Sequence, residues 1–179
     1  PETRAALRQA KDRTDNPAFA EYVLDDVAWL ADQRVLTDII EAREQLLESD
    51  QPAEDIGQLY TALMPTESRQ TLGQFWTPSE VGELMRTWAT SDAGTVLDPG
   101  LGAGGLSSPR HPFWIMRSDP TQVVDVVGID RSPLALLMGT TALTLAGQAH
   151  EPRITDFLDL VPEDLSTSVD ALVCNPPYT

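Results

Sequence analysis

The sequence predicts an α/β protein, in which an all-helical N-terminal region (residues 1–70) precedes part of a parallel sheet (residues 71–179). Three observations carry this. The first seventy residues hold apolar stripes at helical spacing and no strand pattern. Four short apolar runs follow, each with an acid or an asparagine at or near its carboxyl end. Turn and helix signals separate the runs, the order that yields parallel strands joined by crossovers.

In the helical region, Asn16-Pro17 places an N-cap before a proline at the first helical position, and Phe19, Tyr22, Val23, Val27 and Leu30 recur at helical spacing. Leu36, Ile39, Ile40, Leu46 and Leu47 form a second stripe, broken by Arg43, with Glu41, Glu44 and Glu48 on other faces. A third helix is predicted from Pro52 to Met64, with Ile56, Leu59, Tyr60 and Leu63 along one side. These residues suit packing against the rest of the chain. A polar connector from Pro65 leads to Gly73-Gln74-Phe75-Trp76-Thr77-Pro78 and a fourth helix, with Thr77 as cap, Pro78 in the first position and Glu80 completing a capping box. Val81, Leu84, Met85 and Trp88 are its expected buried face. The unpaired amides at such a helix start attract an anion.

The first strand, Gly94-Thr95-Val96-Leu97, runs into Asp98-Pro99-Gly100-Leu101-Gly102-Ala103-Gly104-Gly105, where backbone can approach a ligand without a Cβ in the way. Gly100, Gly102 and Gly105 also match the dinucleotide pattern G-x-G-x-x-G, but a carboxylate at Asp98 would repel a pyrophosphate and suits a cationic group. Pro109 and Pro112 interrupt the helix due next, so Ser107 to Pro120 is expected to be irregular. Val123 to Ile129 is the second strand, closed by Asp130, and Arg131-Ser132-Pro133 starts a helix over the apolar run Leu134 to Ala146. Ile154 to Leu158, containing Asp156 and Phe157, is the expected third strand. Either acid alone also reads as a solvated strand-end residue.

The last strand, Ala171-Leu172-Val173-Cys174, is stopped by Asn175-Pro176-Pro177-Tyr178. Two prolines fix φ and remove two donors, which leaves rigid outward carbonyls. The Asn175 oxygen and the Pro176 carbonyl can together take both hydrogens of a planar amino group, with the Tyr178 ring as a stacking surface.

Asn-Pro-Pro-Tyr at a strand end resembles the catalytic motif of amino-methyltransferases that use S-adenosylmethionine, above all the DNA adenine-N6 methyltransferases. Gly73 to Pro78 resembles the segment before the cofactor loop in such enzymes of restriction-modification systems, with Trp76 where tyrosine is usual. Asp-Pro-x-x-Gly-x-Gly-Gly resembles the cofactor loop itself, with Leu106 where phenylalanine is common. The resemblance covers roughly Leu72 to Thr179. It implies a Rossmann-like methyltransferase fold, S-adenosylmethionine as cofactor, and DNA as partner, with a specificity or nuclease subunit alongside. Cofactor binding would fall to Phe75, Thr77, Pro78, Asp98, Gly100, Gly102, Gly104, Asp130, Asp156 and Phe157. Within that set Asp98 would face the amino and sulfonium side, Asp130 the ribose hydroxyls, and Asp156 and Phe157 the adenine. Catalysis would fall to Asn175, Pro176, Pro177 and Tyr178, which hold a target adenine flipped from the duplex. The family's sheet needs further strands after this point, so the chain is expected to be the amino-terminal part of a longer protein and inactive alone. Two alternatives are a methyltransferase acting on protein glutamine amides and a non-catalytic piece of a restriction-modification complex. A nicotinamide oxidoreductase would leave Asn175 to Tyr178 unexplained.

Composition adds constraints. Twenty-eight acidic residues stand against twelve basic ones, a net charge of −16, and Lys11 is the only lysine. A DNA-binding surface is basic, so the chain alone is expected to bind DNA poorly. A salt-loving source, or a basic surface elsewhere in the protein, would account for the acidity. The single cysteine excludes an internal disulfide and fits a cytoplasmic location, and no long apolar run suggests a membrane span. His111 and His150 lack metal-ligand spacing.

Overall fold

Four parallel strands organise the computed structural model, which describes residues 33–63, 77–89, 94–108, 125–165 and 167–176. They are β1 (Thr95–Asp98), β2 (Asp125–Asp130), β3 (His150–Ile154) and β4 (Ala171–Leu172), in the spatial order β3-β2-β1-β4. Register is continuous: Val96 faces Val126 and Ala171, and Asp130 faces Ile154. Strand order reverses at β1, so the crevice between the carboxyl ends of β1 and β4 is the sheet's switch point. This is the α/β, Rossmann-like architecture that the sequence predicts.

The helices are α1 (Gln33–Glu48), α2 (Pro52–Leu63), α3 (Ser79–Ala89) and α4 (Pro133–Leu145). Ser132 caps α4 by accepting from the Ala135 amide, with Pro133 in the first turn. Gly147, at φ 68°, ends it: Gln148 N donates to Leu143 O and Gly147 N to Thr144 O, a Schellman closure. On this side of the sheet Leu101, Val126, Leu136 and Leu143 form one cluster, and Val96, Leu106, Ala89 and Val173 another under α3. Ile56 of α2 packs on Ala142 of α4, and Tyr60 on Ala135 and Ala103, which ties α2 to both α4 and the glycine loop. Burying side chains of this size stabilises the fold by about 1.5–3 kcal/mol each. The opposite face, Leu97, Val127 and Ile129, is covered by Leu160, Leu165 and Val169 from the β3–β4 connection, which carries two 3-10 turns, Phe157–Asp159 and Pro162–Asp164.

Two elements differ from expectation. The third strand runs His150–Ile154, not Ile154 to Leu158, because Asp156 accepts from the Leu158 amide at 3.0 Å and caps a 3-10 turn. Asp156 and Phe157 therefore follow the strand rather than lie within it. Helix α3 begins at Ser79, one residue past the expected start, and buries Gly82, Arg86 and Ala89 with Met85 half-buried. Val81, Leu84 and Trp88 are 47%, 72% and 79% exposed. The helix is turned by one residue, about 100°, from the apolar stripe. The reason is local: a Cβ at Gly82 would lie 3.1 Å from Gly105 O, and Arg86 Nη1 donates to Leu106 O at 2.6 Å, so α3 lies hard against the glycine loop on its small and basic side. The expected helix over residues 16–30, the side chains of Leu36, Ile39 and Ile40, and the segment after Ser108 lie outside the described residues.

Candidate active site at the carboxyl edge of β1, β2 and β4

The loop after β1 is built by backbone geometry. Gly102 and Gly104 take φ of 54° and 84°, which residues with a Cβ rarely adopt. Leu101 N donates to Ile129 O at 2.9 Å and anchors the loop to the end of β2. A Cβ at Gly139 of α4 would lie 2.5 Å from Gly102 O, so that glycine lets helix and loop touch. By contrast, a Cβ at Gly100 would meet nothing within 4 Å among the described residues. Among the described residues the inner side of the loop is filled and the outer side at Gly100 is open.

Two acids fix the loop from beneath. Asp130 Oδ2 accepts from Gly102 N at 2.9 Å, and its Oδ1 from Ser132 N at 2.8 Å. One carboxylate thus joins the loop to the start of α4. The Arg131 amide is a third backbone donor to it, and the residue is only half-buried. Burial raises its carboxyl above the usual range, against the pull of those backbone donors. Asp98 is wholly inaccessible, its Oδ2 receiving Ser107 Oγ at 2.5 Å and its Oδ1 the Gly100 amide at 3.2 Å. Loss of water pushes its carboxyl up to about 6, the two hydrogen bonds pull it down, and the Asp130 charge adds a smaller push upward. Asp98 is therefore enclosed under the loop rather than open at its surface. Cys174, half-buried beside it, has its thiol raised by burial and then by the Asp98 charge.

The Asn175 side chain lies across from the start of α3. Its Nδ2 is 3.0 Å from Thr77 Oγ1, a contact that spans 98 positions of sequence. Val173 N donates to Leu97 O at 3.0 Å and extends the β4 pairing to the brink of the motif. Asp170 Oδ2 accepts from Gly94 N and Thr95 N at 2.8 and 2.9 Å, which pins the start of β1 to the entry of β4. Thr77 and Asn175 thus meet at the switch point, with Asp98, Gly100, Gly102 and Asp130 beside them on β1 and β2. Pro78 and Pro176 are exposed at this edge. Asp156 is farther along, at the end of β3, with Oδ2 3.4 Å from Arg131 Nη1, and Phe157 follows it, partly exposed. Phe75, Pro177 and Tyr178 lie outside the described residues. Sequence reasoning missed Ser107, Asp170 and Gly139; only Gly139, a glycine inside a strong helix pattern, left a readable signal.

Among the described residues no helix is long and apolar enough to cross a membrane, and no three His, Cys, Asp or Glu side chains are grouped to hold a metal ion. The edge instead joins buried acids, an open glycine turn and an amide set beside a helix start. A family model described as N-6 DNA Methylase matches residues 51–179. The chain belongs to the N-6 DNA methylase family. The matched span includes α2, in keeping with the burial of Ile56 and Tyr60 against α4 and the loop. An N-6 DNA methylase is a DNA methyltransferase, and the parallel sheet places the matched chain's glycine turn and Asn175 on one edge.

Proposed function

We propose that the protein transfers a methyl group from S-adenosylmethionine to the N6 amino group of adenine in DNA, and that it serves a restriction-modification system in the cytoplasm. The observation that carries this reading is the meeting of Asn175 with Thr77 at the switch point, next to a glycine turn whose outer side is open among the described residues. The restriction-modification context rests on the Gly73 to Pro78 stretch alone. The residues fit the cofactor: Gly100 offers space for close backbone approach among the described residues, the half-buried Asp130 stands at the end of β2 where a ribose hydroxyl could reach it, and the neighbouring acids favour a cation. When bound, S-adenosylmethionine supplies an electrophilic methyl group.

The chain's own work is positioning. Asn175 Oδ1 and the Pro176 carbonyl accept the two amino hydrogens, which withdraws the nitrogen lone pair from conjugation with the ring. Positive charge would develop on that nitrogen only as its bond to the methyl carbon forms and the cofactor's sulfur–methyl bond breaks, with the surplus amino proton then passing to water, so no base is needed beforehand, and the two carbonyl dipoles would face the charge. In the full-length protein, Asn175→Ala is expected to lower turnover on DNA by about 100-fold, the scale of deleting one preorganised hydrogen-bonding group, with the cofactor Kd within about twofold by calorimetry. Turnover equal to the unsubstituted protein would reject the role of Asn175.

A further inference from the structure

A carboxamide has two nearly isosteric ends, one donating and one accepting, and only the accepting end can serve an amino group's hydrogens. If the Asn175 nitrogen faced the target, donor would meet donor. Something must decide which end faces which way. Asn175 Nδ2 donates to Thr77 Oγ1 at 3.0 Å. Thr77 is suited to a fixed role: it is 7% exposed, its β-branched side chain has few rotamers, and Pro78 after it restricts its backbone. Its hydroxyl oxygen is therefore held in one place, where water does not readily replace it as the acceptor for the Asn175 amide nitrogen.

We infer that Thr77 is a positioning residue for methyl transfer, whose hydroxyl accepts from the Asn175 amide nitrogen and so turns the amide oxygen toward the target amino group. The inference rests on the proposed function and assigns Thr77 a task apart from cofactor binding. It also explains why a helix start ninety-eight positions upstream meets the motif.

The test is a double-mutant cycle in the full-length protein, with Thr77→Val, Thr77→Ser, Asn175→Ala and the Val/Ala pair. Three quantities are read: kcat for DNA methylation, the calorimetric Kd of S-adenosylmethionine, and Tm. Thr77→Val is expected to lower kcat about 10-fold, the worth of one hydrogen bond, with Kd within about twofold. Thr77→Ser keeps the hydroxyl and recovers kcat to within about threefold. In the Asn175→Ala background Thr77→Val adds no further loss. Thr77→Ala carries the same cycle if Thr77→Val melts below the assay temperature. Unchanged kcat, a loss that falls on Kd alone, or losses that add to those of Asn175→Ala would each overturn the inference. Absence of methyl transfer to DNA by the unsubstituted protein overturns the functional reading itself, and is seen before any variant is made.

Discussion

A carboxyl group with no access to water must be either neutral or well bonded, and Asp98 is partly both. Its value of about 6, against 3.8 in the unfolded chain, means that the folded protein keeps a proton there between about pH 4 and 6, when the unfolded chain has released it. Stability from this group is therefore present at low pH and lost as pH rises through that window, by up to about 3 kcal/mol. Asp98→Asn keeps partners for Ser107 and Gly100 without the charge. Thermal melts from pH 4 to 7 are expected to show the unsubstituted protein losing Tm relative to Asp98→Asn as pH rises. Parallel curves would mean that Asp98 ionises normally in the fold. Ser107, which donates to it at 2.5 Å, is the residue that makes ionisation tolerable near neutral pH.

At the scale of elements, the glycine loop has an inner and an outer side that respond differently to a methyl group. Gly139→Ala drives a Cβ to 2.5 Å from Gly102 O, a backbone atom, so the loop must shift despite the better helix propensity of alanine. Overpacking of this kind costs about 1–3 kcal/mol, read from the urea midpoint. Gly100→Ala meets nothing within 4 Å among the described residues, and its stability is expected to stay within about 0.5 kcal/mol while cofactor affinity falls at least tenfold, because the added methyl occupies the open side. Full affinity in Gly100→Ala would move the cofactor off this side of the loop. The loop and the strand ends were legible because each is local: β-branched runs, then an acid, then glycines. What could not be read is set by distant partners. Helix α3 has two overlapping candidate faces, and Gly82 against Gly105 chose the one without Val81, Leu84 and Trp88. Strand β3, His-Glu-Pro-Arg-Ile, has no apolar alternation, and its proline is tolerated because the strand lies at the end of the sheet order among the described residues. The Thr77–Asn175 and Asp98–Ser107 contacts depend on crossovers that no local pattern encodes.

For the whole molecule, the account joins an acidic chain to a nucleic-acid substrate. A net charge of −16 disfavours phosphate, so this chain is assigned the cofactor and the reacting amino group rather than the grip on the duplex. Among the described residues, the sheet puts Asp98, Asp130, Asp156 and Asn175 on one edge, at or just past the ends of β1, β2, β3 and β4. The central claim is that this edge methylates adenine, and product identity tests it most directly. Full-length protein is incubated with tritiated S-adenosylmethionine, unmethylated DNA and a glutamine-bearing protein acceptor, and the DNA is digested to nucleosides. The account predicts label in N6-methyldeoxyadenosine, lost in Asn175→Ala. Label on the protein acceptor and none in DNA would contradict it.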